Sequence, residues 1–215
     1  MSAQSGPTRS DWHPDPHPAP PIDLADRLLP LVELLPPWFQ CHGIKRGPLN
    51  FNPRSSGRFN APSGEYSTTY LSTSPEGAFV EKFLQSGRQE GIGVNVLTQA
   101  TLSLHRLCRI GQPSDARPLT LVDLSGHGPA HVGADGRLST MTDDPGLVQQ
   151  WALAFWRHPQ QPDGIYYRAR HDQSCFSIAV FDRAEGLLVA NVAIDLLTNP
   201  VILAGLMRRY KFGLF

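Results

Sequence analysis

Apolar residues recur along the chain at two spacings, and the pattern predicts both helices and strands. In residues 75–84 apolar side chains return every three to four positions behind a proline, which is typical of an amphipathic helix that begins at Pro75. Residues 66–72 are instead rich in Thr and Tyr and follow a loop that contains Pro and Gly, which favours a strand.

The same signals predict four helices and a larger number of strands. The predicted helices cover residues 22–35 with a kink or break at Pro30, a segment that begins at Pro75, residues 145–158 and residues 200–207. The predicted strands cover residues 38–44, 66–72, 94–97, 100–107, 118–124, 165–168, 176–181 and 187–194, and residues 94–107 could equally be one interrupted strand. Because these elements do not repeat a strand-helix-strand unit, the pattern predicts the α+β fold class.

Composition divides the chain into a tail and one domain. Residues 1–21 hold six prolines among Ser, Gly, His and Asp, which predicts a disordered Pro-rich tail. Residues 22–215 are then long enough for a single domain that buries most of its apolar surface.

Charge and cysteine content exclude several classes of function. The chain has 19 basic and 19 acidic residues, so its charge offers no reason to expect direct binding of nucleic acid. No apolar run is long enough to span a membrane, and the three cysteines are scattered, which suits the reducing cytoplasm. His105 and Cys108 resemble half of a metal site, but no second pair matches them, so we expect no metal.

A loop, a strand and a helix in residues 57–84 bring together the side chains of greatest chemical interest. Arg58 lies in the loop, Tyr70 in the predicted strand and Glu81 just beyond the apolar face of the predicted helix. Arginine suits a pyrophosphate because its fork donates two directed hydrogen bonds. Arg46 is a rival for that role, but we favour Arg58 because the run Gly-Arg-Phe-Asn stands directly before the Tyr70 strand.

An ordered set of motifs resembles the RES-domain family, which is named for an arginine, a glutamate and a serine. The motifs are KRGPLNF at 45–51, RFN at 58–60, YLS at 70–72, AFVE at 78–81, LVDL at 121–124, WA at 151–152, DGIYY at 163–167, RARHD at 168–172 and AVFD at 179–182. The resemblance covers about residues 40–185. It implies a mixed β-sheet core with flanking helices, similar to that of ADP-ribosyltransferase toxins, with NAD bound in its cleft.

The resemblance also implies roles for individual residues. Glu81 would stabilise the ribose cation, Arg58 would bind the pyrophosphate of NAD, and Tyr70 would stack on the nicotinamide or hydrogen-bond near it. We place Arg46, Tyr66, Arg170 and His171 around the same substrate as binding residues. The chain departs from the family at Ala169, which stands where the serine is expected, and Ser174 or Ser177 are the candidates for a substitute hydroxyl.

The function implied is a cytoplasmic toxin-like enzyme that cleaves the bond between nicotinamide and ribose in NAD. The acceptor stays open among water, phosphate and a protein side chain. An Xre-like antitoxin is the implied partner, and a homo-oligomer is a further expectation. Because Ala169 replaces the serine, the alternative is a catalytically weakened protein that binds NAD or another nucleotide as a sensor or interaction module. No Gly-x-Gly-x-x-Gly run is present, which counts against a Rossmann dehydrogenase.

Overall fold

A computed structural model describes residues 16–53, 57–87, 95–141 and 143–215. Most of the predicted tail, residues 1–15, and Val94 of a predicted strand lie outside these residues. Within the described part of the chain, no helix combines the length and the apolar composition needed to cross a membrane.

Strands and helices alternate irregularly along the described residues, and the predicted α+β class is confirmed. The strands are β1 Leu31–Leu34, β2 Trp38–Gly43, β3 Thr68–Ser72, β4 Asn95–Leu97, β5 His105–Gly111, β6 Leu119–Asp123, β7 Gly164–Arg168, β8 Phe176–Phe181, β9 Val189–Ile194 and β10 Phe212–Leu214. The α-helices are α1 Pro75–Gly87, α2 Gln99–Ser103, α3 Gly128–Val132, α4 Pro145–Arg157 and α5 Pro200–Tyr210. Short 3-10 helices cover Leu24–Asp26, Gly136–Ser139 and Asp182–Leu187.

The large sheet is mixed and has eight strands in the order β1-β6-β7-β8-β3-β2-β5-β9. Strands β6 and β7 run parallel, whereas the other neighbouring pairs in this sheet are antiparallel. A separate two-stranded sheet pairs β10 with β4 in parallel. The centre of the large sheet is therefore formed by β7, β8, β3 and β2, which come from distant parts of the chain.

Two helical layers cover the same face of the large sheet and leave a gap between them. Because side chains alternate between faces along a strand, Tyr70 and Ser72 of β3 share a face with Phe39 of β2, which pairs with Ser72. On one side of this face α4 packs into a buried cluster with β7 and β8 through Trp151 and Phe155. On the other side, Phe79 and Phe83 of α1 pack with α5, β5 and β10. The opposite face of the sheet carries a third buried cluster.

The predicted helix over residues 22–35 is wrong. Leu24–Asp26 forms a single 3-10 turn, and Leu31–Leu34 is the edge strand β1, paired antiparallel with β6. Pro30 explains the break, because proline disfavours the helical conformation in the residue before it and cannot donate a backbone hydrogen bond. Its carbonyl accepts a hydrogen bond from the Asp123 amide at 2.7 Å, which continues the pairing of β1 with β6.

Two other sequence predictions are corrected by local hydrogen bonding and packing. Residues 100–107 are not one strand, since the Thr98 hydroxyl accepts a hydrogen bond from the Thr101 amide and caps α2 before β5 begins at His105. The predicted tail ends too late, since His17 is already buried and the Pro18 carbonyl accepts a hydrogen bond from the Trp151 indole at 2.9 Å. The end of the predicted tail is thus attached to the domain through His17 and Pro18.

An ion pair between the exposed side chain of Arg117 and the buried carboxylate of Asp163 joins the beginnings of the parallel strands β6 and β7. The Asp163 carboxylate, 2 % exposed, accepts hydrogen bonds from Arg117 at 2.5 and 2.8 Å and from the Thr120 amide at 2.8 Å. A carboxylate that loses one partner in a buried position keeps its desolvation cost without the compensating bonds.

We therefore expect Arg117→Met to lower the free energy of unfolding by about 1–2 kcal/mol, because the Asp163 carboxylate would lose both bonds from Arg117 and keep the one from the Thr120 amide. Urea denaturation measures this change. Arg109→Met is the matched control, since Arg109 is an exposed arginine on β5 and its replacement should change the free energy by less than about 0.5 kcal/mol. Equal losses in the two variants would contradict a specific role for the ion pair.

Candidate active site

The gap between the two helical layers is an open cavity of about 600 Å³. Its floor includes Cys41 of β2, Tyr70 and Ser72 of β3, Tyr167 of β7 and Ser177 of β8. Ala78, Glu81 and Lys82 of α1 form one wall, and the other side holds Gly57, Arg58, Met141 and Pro145. The volume lies in the range of about 300–1,000 Å³ that is usual for ligand pockets in proteins.

Arg58 is held in the cavity by a tight loop of residues 57–60, which we call the arginine loop. The Asn60 amide donates to the Gly57 carbonyl at 3.0 Å and closes the turn. A Cβ atom at position 57 would lie 2.2 Å from Asn60 Oδ1 and 2.5 Å from the Tyr70 hydroxyl, so only glycine fits there. Because position 57 has no side chain, the loop can lie close against Tyr70 of β3.

The Arg58 guanidinium rests on aromatic rings and is tethered to a backbone carbonyl. Its central carbon lies 5.3 Å from the centre of the Phe59 ring and 5.4 Å from that of the Tyr167 ring. One terminal nitrogen donates to the Ser139 carbonyl. The cation is thus oriented before any ligand arrives, with other donor positions left to face the cavity.

The Tyr70 hydroxyl holds the arginine loop against the sheet. It accepts a hydrogen bond from the Phe59 amide at 2.9 Å and donates to Asn60 Oδ1 at 2.8 Å. Burial raises the pKa of Tyr70 well above its usual value, so the hydroxyl stays protonated. The hydroxyl proton of Tyr70 is already donated to Asn60. The part of Tyr70 that a ligand in the cavity can contact is therefore its ring.

Glu81 reaches the cavity because the core fixes the rotation of α1. The helix begins where the Gly77 amide donates to the Ser74 hydroxyl at 3.1 Å. Burial of Phe79, Val80 and Phe83 turns the opposite edge of the helix, with Glu81, toward the gap. Glu81 Oε1 accepts a hydrogen bond from the His171 amide at 3.2 Å. The carboxylate thereby joins α1 to the loop that follows β7.

Tyr167 also lines the cavity, although it was not among the site residues selected from the sequence. It is 2 % exposed and lies opposite Ser177 in the pairing of β7 with β8. Burial, with a smaller effect from the Glu81 charge, raises the pKa of Tyr167 to about 12, while Arg58 and hydrogen bonds with the Ser177 and Arg58 side chains act in the opposite direction. The alternation of side chains along a strand could have predicted this position. Tyr167 stands two residues before Ala169, so the two side chains are expected on the same face of the sheet.

Of the two serines considered as substitutes for the absent hydroxyl, only Ser177 lines the cavity. Ser177 is 3 % exposed and contacts Tyr167. Ser174 is exposed, and its hydroxyl donates to Asp172 Oδ1 at 2.5 Å. Ala169 itself is fully buried, and its amide donates to the Cys175 carbonyl at 2.9 Å.

The remaining residues expected to bind substrate fall in different places. Arg170 lines the cavity, and His171 reaches it through the amide that binds Glu81. Arg46 is exposed on the connection after β2 and does not line the cavity. Within the part of the chain that the structure describes, the cavity therefore brings together Arg58, Tyr70, Glu81 and Arg170 of the predicted site residues.

The assignment of Tyr66 to the substrate site is corrected by its position in the core. Tyr66 is 2 % exposed, its ring stacks on Trp156 at 5.3 Å, and its hydroxyl donates to the Phe59 carbonyl at 2.9 Å. The large apolar surface of the ring explains the burial, and the hydrogen bond satisfies its polar end. Tyr66 thus supports the arginine loop from beneath.

A known protein family matches most of this chain. The family model described as the RES domain matches residues 37–199. The chain belongs to the RES-domain family. The cavity described above lies entirely within the matched residues, whereas α5 and β10 follow them.

A solved structure shows that the fold of this RES domain is shared. One chain of the M. tuberculosis MbcT-MbcA toxin-antitoxin complex is similar to it, with a TM-score of 0.61 and 20% sequence identity over 83% of this chain and 92% of that chain. No curated protein sequence matches the chain. Within the residues that the structure describes, no three His, Cys, Asp or Glu side chains are grouped so that they could hold a metal ion.

The Tyr70 hydroxyl generates a prediction about stability. Tyr70→Phe would leave the Phe59 amide and Asn60 Oδ1 without their shared partner, so we expect the free energy of unfolding to fall by about 1–3 kcal/mol in urea denaturation. Tyr166→Phe is the matched control on β7, since it keeps the ring that stacks on Phe176 at 4.8 Å. An equally large loss in the control would argue against the role given to the Tyr70 hydroxyl.

Proposed function

We propose that this RES domain cleaves the bond between nicotinamide and ribose in NAD. The observation that carries the proposal is that the Arg58 guanidinium and the Glu81 carboxylate line one cavity whose floor includes two tyrosines. NAD offers a cationic ring, a ribose and a pyrophosphate, and these side chains match its charges. Membership of the RES family supports the same substrate.

The reaction needs stabilisation of positive charge more than it needs a strong nucleophile. When the bond breaks, its electron pair passes to the nicotinamide nitrogen, which becomes neutral, and the positive charge moves to the ribose. A carboxylate beside that carbon stabilises the resulting oxocarbenium-like state. Glu81 has this role in our proposal, and the His171 amide orients it through the bond to Oε1.

The positive side chains of the cavity suit the phosphates of the substrate. Arg58 is oriented by Phe59, Tyr167 and the Ser139 carbonyl, so it loses little freedom when it binds an anion. Arg170 lines the cavity from the loop after β7 and is exposed, so it is able to approach a bound pyrophosphate. Tyr70 would place its ring against the nicotinamide.

The acceptor that completes the reaction is a small molecule or a protein group that reaches the ribose carbon. Attack by water yields ADP-ribose, nicotinamide and a proton, attack by phosphate yields a phosphorylated ADP-ribose, and attack by a side chain yields an ADP-ribosylated protein. In this proposal Ser177 and Tyr167 provide the hydroxyl groups of the cavity floor where Ala169 has none. The completely buried methyl group of Ala169 favours a second candidate, a protein that binds NAD and turns it over weakly or not at all.

An antitoxin partner is part of the same proposal. The structure similar to this chain is that of a toxin-antitoxin complex, and the cavity here is open to solvent. We infer an Xre-like antitoxin that covers the opening. Arrest of growth when this chain is expressed alone, and its relief by a neighbouring gene product, would test this part of the proposal.

The function is tested by following loss of NAD and release of nicotinamide with purified protein, with and without phosphate. We expect Glu81→Gln to lower kcat by about 100-fold or more, because the carboxylate charge is lost where positive charge develops. Glu76→Gln, in the first turn of the same helix, is the matched control and should keep full activity. Full activity in Glu81→Gln would overturn the role of Glu81, and NAD binding without turnover in the unmodified protein would favour the second candidate.

Arg58 supplies a separate prediction about binding. We expect Arg58→Lys to raise KM for NAD by about 10-fold or more, because lysine cannot replace the directed bonds of the guanidinium to a pyrophosphate. Nicotinamide riboside lacks the phosphates, so its cleavage should respond much less to the same change. Arg109→Lys on β5 controls for loss of an exposed arginine, and an equal effect on both substrates would contradict pyrophosphate binding by Arg58.

A further inference from the structure

The last helix lies outside the residues matched by the family model, yet it packs against α1, which forms one wall of the cavity. Leu203 and Leu206 of α5 are buried in the same cluster as Phe79 and Phe83 of α1. The Phe79 ring also lies 6.3 Å from that of Tyr210 and nearly parallel to it, at 17°. The helix that carries Glu81 is therefore held against α5.

From its final turn, α5 makes polar contacts with a single carboxylate. The Tyr210 hydroxyl donates to Asp172 Oδ2 at 2.9 Å, and Arg209 donates to the same oxygen at 3.1 Å. Arg209 also donates to the Ser174 hydroxyl at 3.1 Å. Asp172 Oδ1 meanwhile accepts from the Ser174 amide and hydroxyl, at 2.9 and 2.5 Å. Asp172 thus joins α5 to its own loop.

Asp172 accepts these bonds as an ionised group. Partial burial would by itself raise the pKa of Asp172, but the hydrogen bonds from Ser174, Tyr210 and Arg209 outweigh it and hold that pKa well below its usual range. Burial and the bond to Asp172 raise the pKa of Tyr210, so its hydroxyl keeps the proton that it donates. Charge-assisted bonds of this kind are stronger than those between neutral groups.

The loop fixed by Asp172 is the one that touches the cavity. Its neighbour His171 donates its amide to Glu81 Oε1, and Arg170 lines the cavity one residue earlier. A displacement of Asp172 would therefore move both the donor that orients Glu81 and the cation at the opening.

We propose that Tyr210 and Arg209 are positioning residues that act through Asp172 to orient the Glu81 carboxylate and Arg170. The assignment rests on the proposed cleavage of NAD for its kinetic consequence. It gives the helix beyond the family match a role in the reaction besides packing on α1.

Tyr210→Phe is the decisive variant, because it keeps the ring against Phe79 and removes one hydroxyl. We expect kcat for NAD to fall about 5- to 30-fold with KM changed less than twofold, and the His171 amide to exchange its hydrogen faster in NMR measurements. In an Asp172→Ala background the same change should have no further effect on kcat. If Tyr210→Phe lowers kcat as much in the Asp172→Ala variant as in the unmodified protein, the proposal is overturned, because Tyr210 would then act through a group other than Asp172.

Two neighbouring arginines provide the matched control. Arg209 binds Asp172, whereas the Arg208 side chain donates to the Ala204 carbonyl of its own helix at 3.3 Å. Arg209→Met should lower kcat and speed exchange of the His171 amide, and Arg208→Met should do neither. Identical kinetics and exchange in the two variants would overturn the proposal.

Failure of the proposed function would be recognised separately. If the unmodified protein consumes no NAD, the cleavage proposal fails, and amide exchange alone then decides whether Tyr210 positions the loop. Faster exchange at His171 in Tyr210→Phe would support the positioning role, and unchanged exchange would overturn it.

Discussion

The geometry of the cavity depends on the two hydrogen bonds made by the Tyr70 hydroxyl. It binds the Phe59 amide and the Asn60 side chain at once, and so joins the arginine loop to the central strand β3. The close approach is possible because position 57 is glycine, and it is supported from the core by the Tyr66 hydroxyl on the Phe59 carbonyl. These hydrogen bonds fix the backbone beside Arg58, whose guanidinium is then oriented by the Phe59 and Tyr167 rings and the Ser139 carbonyl.

The cavity itself results from the way two apolar clusters share one face of the sheet. Each cluster needs a helix to cover it, α4 on one side and α1 with α5 on the other. Between them the strands present polar side chains, among them Ser72 and Ser177, which are paired across β3 and β8. The gap therefore has polar side chains on its floor and well-packed helices at its sides.

Charge is distributed so that the two central groups are held by different parts of the fold. Arg58 is held by aromatic rings and a carbonyl, whereas Glu81 is held by the His171 amide. In the described residues no ion pair joins Arg58 to Glu81, and both side chains line the cavity between them. The loop that orients Glu81 depends in turn on Asp172 and the last turn of α5.

Local sequence determined much of this protein. The strands that carry Tyr70 and Tyr167 and the helices that begin at Pro75 and Pro145 were predicted, because proline, glycine and side-chain periodicity act over a few residues. That Arg58 and Glu81 face one cleft was an expectation from the family resemblance. Only the tertiary structure decided that Tyr66 is core, that Pro30 leads into an edge strand, and that Ser177 and not Ser174 lines the cavity. These outcomes depend on which distant strands pair and on which face is covered, and such long-range contacts leave no local signal in the chain.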